Sequence, residues 1–399
     1  MSGATRAWPR WLKPLRTRPV RAWSVWLLLA VGGGLPTSAP CQVLTSASAS
    51  RPLPSDGVLS NLLAGVRQKH NLPALTAAVV TSRGVEATGV TGVRKRGSDV
   101  PAGLDDLWHL GSATKAMTAT LVARLVEQGV LTWDTTVAEA FPELADQFHA
   151  EMRGVTLLHL LSHRAGLPRN PDLARLRGLD GRSERLRATR EGLAKQPNHP
   201  PGSRYEYSNL GYVIVGAVIE RVTGRPWEEL MRTEVFGPLN MTSAGFGGTG
   251  TPGRMDQPWP HRASGKPTPK NGPAADNPPV LGPAGRVHCR IQDWGKFVCD
   301  QLRGARGRPG LLQPTSYAKL HTPPFGGEYA LGWLVLQRNW GRGRVLHHVG
   351  DNTMNLANVW IAPAHDFALL VCVNQGGETA LRASDEVVAA LVHRLASEP

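Results

Sequence analysis

At 399 residues, 41% hydrophobic and 19% charged, the chain can bury one large core, or a core with a subsidiary part, and has an ordinary, somewhat loop-rich globular composition. No stretch after residue 50 has the length of apolar sequence that a membrane-spanning helix needs. The formal charge is +14, yet no nucleic-acid-binding module is legible, so the basic excess reads as a solvated face.

The first 50 residues stand apart. Arg6, Arg10, Lys13, Arg16, Arg18 and Arg21 carry positive charge with no acid among them. An apolar run from Ala22 to Leu35 follows, then small and turn-forming residues from Pro36 to Ser50. A basic segment, a short apolar core and a small-residue exit make a secretory signal, so a periplasmic or secreted protein is expected. Cleavage after Cys41 and cleavage after Ala49 both fit; the alternatives are an uncleaved anchor, the sole membrane contact expected, or a lipoprotein through Cys41. Without this segment, 39 basic residues face 31 acidic ones. Cys289, Cys299 and Cys372 remain, an odd number, and no disulfide framework is expected.

Residues 42–55 read as a linker, followed by a helix capped at Ser55 or Asp56 with Val58, Leu59, Leu62, Leu63 and Val66 on one face. Leu75–Thr81 and Val85–Val90 predict a hairpin turning at Ser82-Arg83-Gly84. From Ser112 the pattern becomes helical, with Met117, Leu121, Val122, Leu125 and Val126 in a stripe, and helical patterns persist to about residue 240, interrupted by the charged stretch Asp172–Arg190. Residues 245–285 form a Gly/Pro/Asn-rich insertion without period, either a pocket-shaping loop or a disordered one. A helix at Ile291–Leu302 precedes strands at Ala330–Leu336, Arg344–His348, Leu356–Ile361 and Phe367–Val373, and an amphipathic helix closes the chain. The expected fold is α+β: one antiparallel sheet built from both chain ends (about 56–110 and 290–399), with a mostly helical region (about 111–289) inserted, in a single catalytic domain over 51–399. Chemistry is expected in the groove where the two parts meet.

Ser112-Ala113-Thr114-Lys115 opens a helix just after Gly111. Positions i and i+3 share a helix face, so the hydroxyl and the amine can meet. A hydroxyl is a weak nucleophile until a base takes its proton, and burial lowers a lysine pKa and frees the amine for that role. The spacing alone is weak, because Ser316-Tyr317-Ala318-Lys319 repeats it where a capped helix start explains it fully.

Three features favour Ser112. Tyr207 and Asn209 leave the turn Pro201–Ser208 two residues apart, offering a second proton carrier and a hydrogen-bond partner for lysine and substrate. His348-Val349-Gly350 ends a predicted strand, where a glycine permits close approach and the Asp351 N–H can join the Ser112 N–H as an oxyanion hole. The third is order: only Ser112 has both motifs downstream, since no other Tyr-x-Asn occurs.

With these blocks in place the chain resembles the serine β-lactamase-related hydrolases, which include penicillin-binding peptidases, class C β-lactamases, D-aminopeptidases and esterases. The resemblance spans roughly residues 56–396, strongest at Leu110–Lys115, Leu157–Pro168, Pro201–Phe236 and Leu331-Gly332-Trp333. It implies an acyl-enzyme on Ser112, Lys115 and Tyr207 as acid–base pair, Asn209 as support and a substrate-facing third motif at His348–Gly350. One departure is His348, where β-lactamases and many peptidases carry a lysine whose fixed charge holds a substrate carboxylate. A histidine is mostly neutral near pH 7, which moves the expected activity towards ester or amide hydrolysis on a small molecule or peptide. A β-lactamase or D-Ala-D-Ala-type peptidase, or an idle scaffold retaining the fold, are the competing readings.

Other signals are set aside. Gly248–Gly253 fits the letters of a dinucleotide fingerprint but leads into a Pro-rich loop, and Ser162-His163 reads as a structural histidine after a buried helix. No Gly-x-Ser-x-Gly elbow and no His-Glu-x-x-His occurs, and no cofactor or metal is expected.

Overall fold

Two β-type runs joined by a tight turn make Ala74–Thr81 (β1) and Gly84–Gly92 (β2) a hairpin in the computed structural model, which describes residues 53–176 and 180–396. The signal segment and Cys41 lie outside the described residues. Near the centre of the chain come three short strands, Trp108–His109 (β3), Gly245–Phe246 (β4) and Val287–Cys289 (β5); the C-terminal part adds Leu334–Arg338 (β6), Gly343–Asp351 (β7), Leu356–Ala362 (β8) and Phe367–Val373 (β9). The main sheet has the order β2-β1-β9-β8-β7-β6 and is antiparallel throughout. The N-terminal and C-terminal parts of the described residues therefore meet where β1 pairs with β9, as the fold class predicts.

The two faces of this sheet are covered by different helices. Gly89 on one face admits Leu59 and Leu63 of the helix Asp56–Lys69, capped by Ser55. That helix packs beside the C-terminal helix Glu378–Ala396. On the opposite face Val80 and Val85 meet Gly295 of the helix Ile291–Ala305, whose Ile291, Trp294, Val298 and Leu302 form a buried stripe. β1, β8 and β9 are buried along their whole length, so they lack the polar alternation of a one-sided sheet.

The region between consists mainly of helices, including Thr114–Glu127, Leu157–Leu161, Gly181–Leu193 and Asn209–Thr223. The charged stretch Asp172–Arg190, expected to interrupt the helical pattern, instead holds most of the helix Gly181–Leu193. Asp180 caps a helix by accepting from the N–H groups of Arg182 and Ser183, and its inner face carries Arg185, paired with Glu220 and Glu228 in the interior. A hydrophobic period fails when the buried face is an ion-pair network.

Two other boundaries shift. Ala330–Trp333 is a bend rather than the start of a strand, because Gly332 takes φ +82° and lies directly on Ala116, where a β-carbon would stand 2.7 Å from the Ala116 Cα. Ser316 sits inside the first turn of the helix Pro314–Leu320, whose cap position is Gln313.

The insertion 245–285 is ordered by hydrogen bonds rather than by period. His261 is fully buried between the Asn374 carbonyl and the Arg96 N–H, and the Trp259 N–H donates to the Arg94 carbonyl. Cys289 and Cys372 are buried, Cys299 is half-buried, and all three are free thiols. Among the described residues no helix is long and apolar enough to cross a membrane.

Candidate active site

Ser112 stands in a single helical turn, Gly111–Ala113, that runs straight into the helix Thr114–Glu127. The turn is fastened to β5: the Leu110 N–H donates to the Val287 carbonyl at 2.9 Å, and the Val287 N–H donates to Thr114 Oγ1 at 3.1 Å. Gly111 needs its positive φ of 50°, and a β-carbon there would lie 2.9 Å from the Asp351 nitrogen. Gly350 is tighter still, its position for a β-carbon being 1.9 Å from the Leu110 carbonyl oxygen and 2.8 Å from the Ser112 nitrogen. The serine turn and the end of β7 therefore touch backbone to backbone, with the Ser112 and Asp351 nitrogens in the two contacting segments.

One helical turn on, the Lys115 side chain is fully buried. Its Nζ lies 3.2 Å from Ser112 Oγ, 2.8 Å from Asn209 Oδ1 and 2.6 Å from the Ala284 carbonyl. Burial, and then the positive charge of Arg169, hold its pKa well below the ordinary lysine value. Tyr207 donates from its phenol to Ser112 Oγ at 2.8 Å. Burial pushes that phenol up to about 12, although the Ser112 bond and Arg169 pull the other way. The serine oxygen thus sits between an amine inclined to be neutral and a phenol that keeps its proton.

The segment carrying Tyr207 and Asn209 is placed by its neighbours. Ser208 caps the helix Asn209–Thr223 by accepting from the Gly211 N–H, while its own hydroxyl donates to the Pro168 carbonyl. Asn209 turns its oxygen to Lys115 and donates from its amide nitrogen to Asn170 at 2.8 Å. His163 grips both sides of Tyr207: its carbonyl accepts the Glu206 N–H and its Nδ1 accepts the Ser208 N–H, with its ring 4.3 Å from the Tyr207 ring. It makes no dyad with Ser162, whose hydroxyl donates to the Leu158 carbonyl. The histidine is structural, as expected, but what it supports is the site.

His348 and His347 point to opposite faces of β7. His347 stacks on Trp360 at 3.8 Å and bonds the Val359 carbonyl. His348 donates from Nδ1 to the Val349 carbonyl and receives the Tyr329 hydroxyl at Nε2, 3.2 Å away. It is only 4% exposed, and burial, together with Lys115 and His347, lowers its pKa to about 3, so it carries no charge at neutral pH. The groove at Ser112 is lined instead by Gly111, Asn209, Asp351 and Asn352, with Asn277, Leu281, Ala284 and Gly285 of the insertion.

Two contributors carried no recognisable motif: Asn170, which accepts from Asn209, and Tyr329, which meets His348. Among the described residues no three or more His, Cys, Asp or Glu side chains converge as metal ligands would. The second Ser-x-x-Lys lacks the same company, since Tyr317 turns inward to donate to Asp300 at 2.7 Å.

The chain has relatives among known proteins and solved structures. The chain is 32% identical to Penicillin-binding protein 4 of Amycolatopsis lactamdurans over 176 residues, 44% of this chain and 45% of that one. It is 28% identical over 302 residues to Unguisins hydrolase ungD' of Aspergillus campestris, covering 70% of this chain and 54% of that one. The chain thus spans about half the length of these curated relatives. It shares the fold of the octameric penicillin-binding protein homologue from Pyrococcus abyssi, with TM-score 0.67 and 21% identity over 84% of this chain and 77% of that one. The family model described as Beta-lactamase matches residues 59–394, so the chain belongs to the Beta-lactamase family, within the serine-hydrolase superfamily of penicillin-binding proteins.

Proposed function

We propose that this protein hydrolyses an ester or amide through an acyl-enzyme on Ser112, with Lys115 and Tyr207 moving the protons. The observation that carries this reading is the position of Ser112 Oγ, 3.2 Å from Lys115 Nζ and 2.8 Å from the Tyr207 hydroxyl. In acylation Lys115 takes the serine proton as Oγ bonds to the substrate carbonyl carbon. The backbone N–H groups of Ser112 and Asp351 receive the oxyanion. As the tetrahedral carbon collapses, the bond to the leaving oxygen or nitrogen breaks, and Tyr207 passes it a proton that the ammonium of Lys115 replaces. Water then attacks the ester on Ser112 by the reverse proton path. Asn209 holds the amine, and the groove from Asn277 to Gly285 surrounds the acyl portion.

Neutral, buried His348 supports a substrate not defined by a carboxylate held on a fixed charge. The name of the Amycolatopsis relative supports a second reading, a penicillin-binding peptidase or β-lactamase. The pattern of residues 1–50 supports an exported enzyme, periplasmic or secreted. The test is acid-quenched intact mass after mixing with p-nitrophenyl esters, amides or a penicillin. An ester acyl adduct present in the wild type and absent in Ser112→Ala, with turnover that depends on Lys115, upholds the proposal. Turnover that survives Lys115→Ala contradicts it, and a stable penicillin adduct without ester turnover favours the peptidase.

A further inference from the structure

The buried carboxylate of Asp276, in the insertion, is fully shielded from solvent and gathers donors from three separate segments. His109 Nε2 lies 3.0 Å and Arg286 Nε 3.2 Å from Oδ2, and Asn352 Nδ2 donates to Oδ1 at 3.0 Å. The other nitrogen of His109, Nδ1, accepts the backbone N–H of Gly111 at 3.1 Å. That bond fixes the tautomer: Nδ1 is the acceptor, so Nε2 carries the hydrogen given to Asp276. Asn352 is fixed just as firmly, because its oxygen already accepts from the N–H groups of Met354 and Asn355, leaving only its NH₂ for Asp276. One carboxylate is thereby bonded, through one side chain each, to the residue before Ser112 and to the residue after Asp351.

We infer that Asp276 is a positioning residue for the oxyanion-binding pair, clamping the Ser112 segment through His109 and the Asp351 segment through Asn352. The inference rests on the oxyanion role given above to the Ser112 and Asp351 nitrogens. A buried carboxylate is weak evidence for stability, since apolar packing serves a core as well. Its use lies in geometry: donors must face the developing oxyanion, and small displacements forfeit much of the rate. Asparagine does not replace it. With its oxygen towards His109 and Arg286, its NH₂ meets the Asn352 NH₂; turned over, its NH₂ meets the His109 N–H. Either orientation sets donor against donor and releases one arm of the clamp.

The test uses the full chain and three proteins: wild type, Asp276→Asn and Asn352→Ala, the last cutting one arm should the first fold poorly. Ester kinetics are read beside backbone hydrogen exchange in peptides covering 109–113 and 350–355. For Asp276→Asn, kcat falls by about 10- to 100-fold with KM within about threefold, as expected for a displaced oxyanion donor. Exchange quickens in both peptides, and beyond them only around residues 276 and 286, whereas Asn352→Ala quickens it in 350–355 and not in 109–113. A kcat within twofold of wild type with unchanged exchange overturns the inference, as does exchange that quickens throughout the chain, which makes Asp276 a stability element only. If the wild type hydrolyses neither ester nor amide, the functional reading fails by itself, and the exchange pattern alone then upholds or overturns the clamp.

Discussion

Asn209 Oδ1 accepts from Lys115 Nζ at 2.8 Å, and with the Ala284 carbonyl at 2.6 Å it occupies two of the amine's positions. A neutral amine has two N–H bonds and one lone pair, so these two acceptors leave the lone pair for Ser112 Oγ. Burial and Arg169 both lower the Lys115 pKa. The expected kcat/KM rises with pH as Lys115 loses its proton, and the limb lies well below the ordinary lysine range. Arg169→Ala removes a positive charge, so the limb moves to higher pH. A pH–rate profile of both proteins checks the direction; an unmoved limb counts against Lys115 as the titrating base.

Tyr207→Phe removes the phenol that donates to Ser112 and leaves the ring on His163. We expect kcat to fall by about 10²- to 10⁴-fold, the usual worth of a positioned proton carrier. Because burial holds the phenol at about 12, wild-type activity does not fall on the alkaline side through loss of the Tyr207 proton until well above pH 10. Steady-state rates from pH 5 to 10.5 test both statements.

Gly350→Ala places a methyl group 1.9 Å from the Leu110 carbonyl and forces β7 away from the serine turn. The expected result is a loss of about 1–3 kcal/mol of stability from overpacking, with a larger relative loss of activity, since the two segments that meet here carry the Ser112 and Asp351 N–H groups. Urea unfolding and ester turnover on the same preparation separate the two effects.

Acid stability follows from four buried histidines. Burial lowers the pKa of His348 and of His321 to about 3, lowers that of His261 to about 4, and lowers that of His163 well below 6.5. The unfolded chain takes up these protons first, below about 6.5, while the folded chain does not. Stability is therefore full above that pH and falls as pH drops from 6.5 towards 3, by up to about 1.4 kcal/mol per pH unit for each histidine. Glu184 and Asp300, whose carboxyls burial raises, work the other way and make the net slope shallower. Urea midpoints at pH 7, 6, 5 and 4 should decline below pH 6.5, and less steeply in His321→Asn; a flat series contradicts the account.

The legible parts of this molecule were those with a period or a fixed spacing. The β1–β2 hairpin and the strands β7, β8 and β9 follow from β-type apolar runs bounded by turn residues, and Ser112, Lys115, Tyr207 and Asn209 from short intervals that one helix start or one turn brings into a groove. The helix Gly181–Leu193 was hidden because its inward residues include Arg185, which no hydrophobic period marks. The bend at Gly332 owes its shape to Ala116, more than two hundred residues away in sequence. His109 and Asp276 meet across a distance no local pattern encodes. The insertion had no period to read because side-chain bonds such as those of His261 and Asn271 order it.

The most direct test of the central claim is labelling with a fluorophosphonate followed by peptide mapping. The account predicts one adduct, on the peptide holding Ser112, lost in Ser112→Ala and unaffected in Ser316→Ala. Labelling that persists in Ser112→Ala would contradict it.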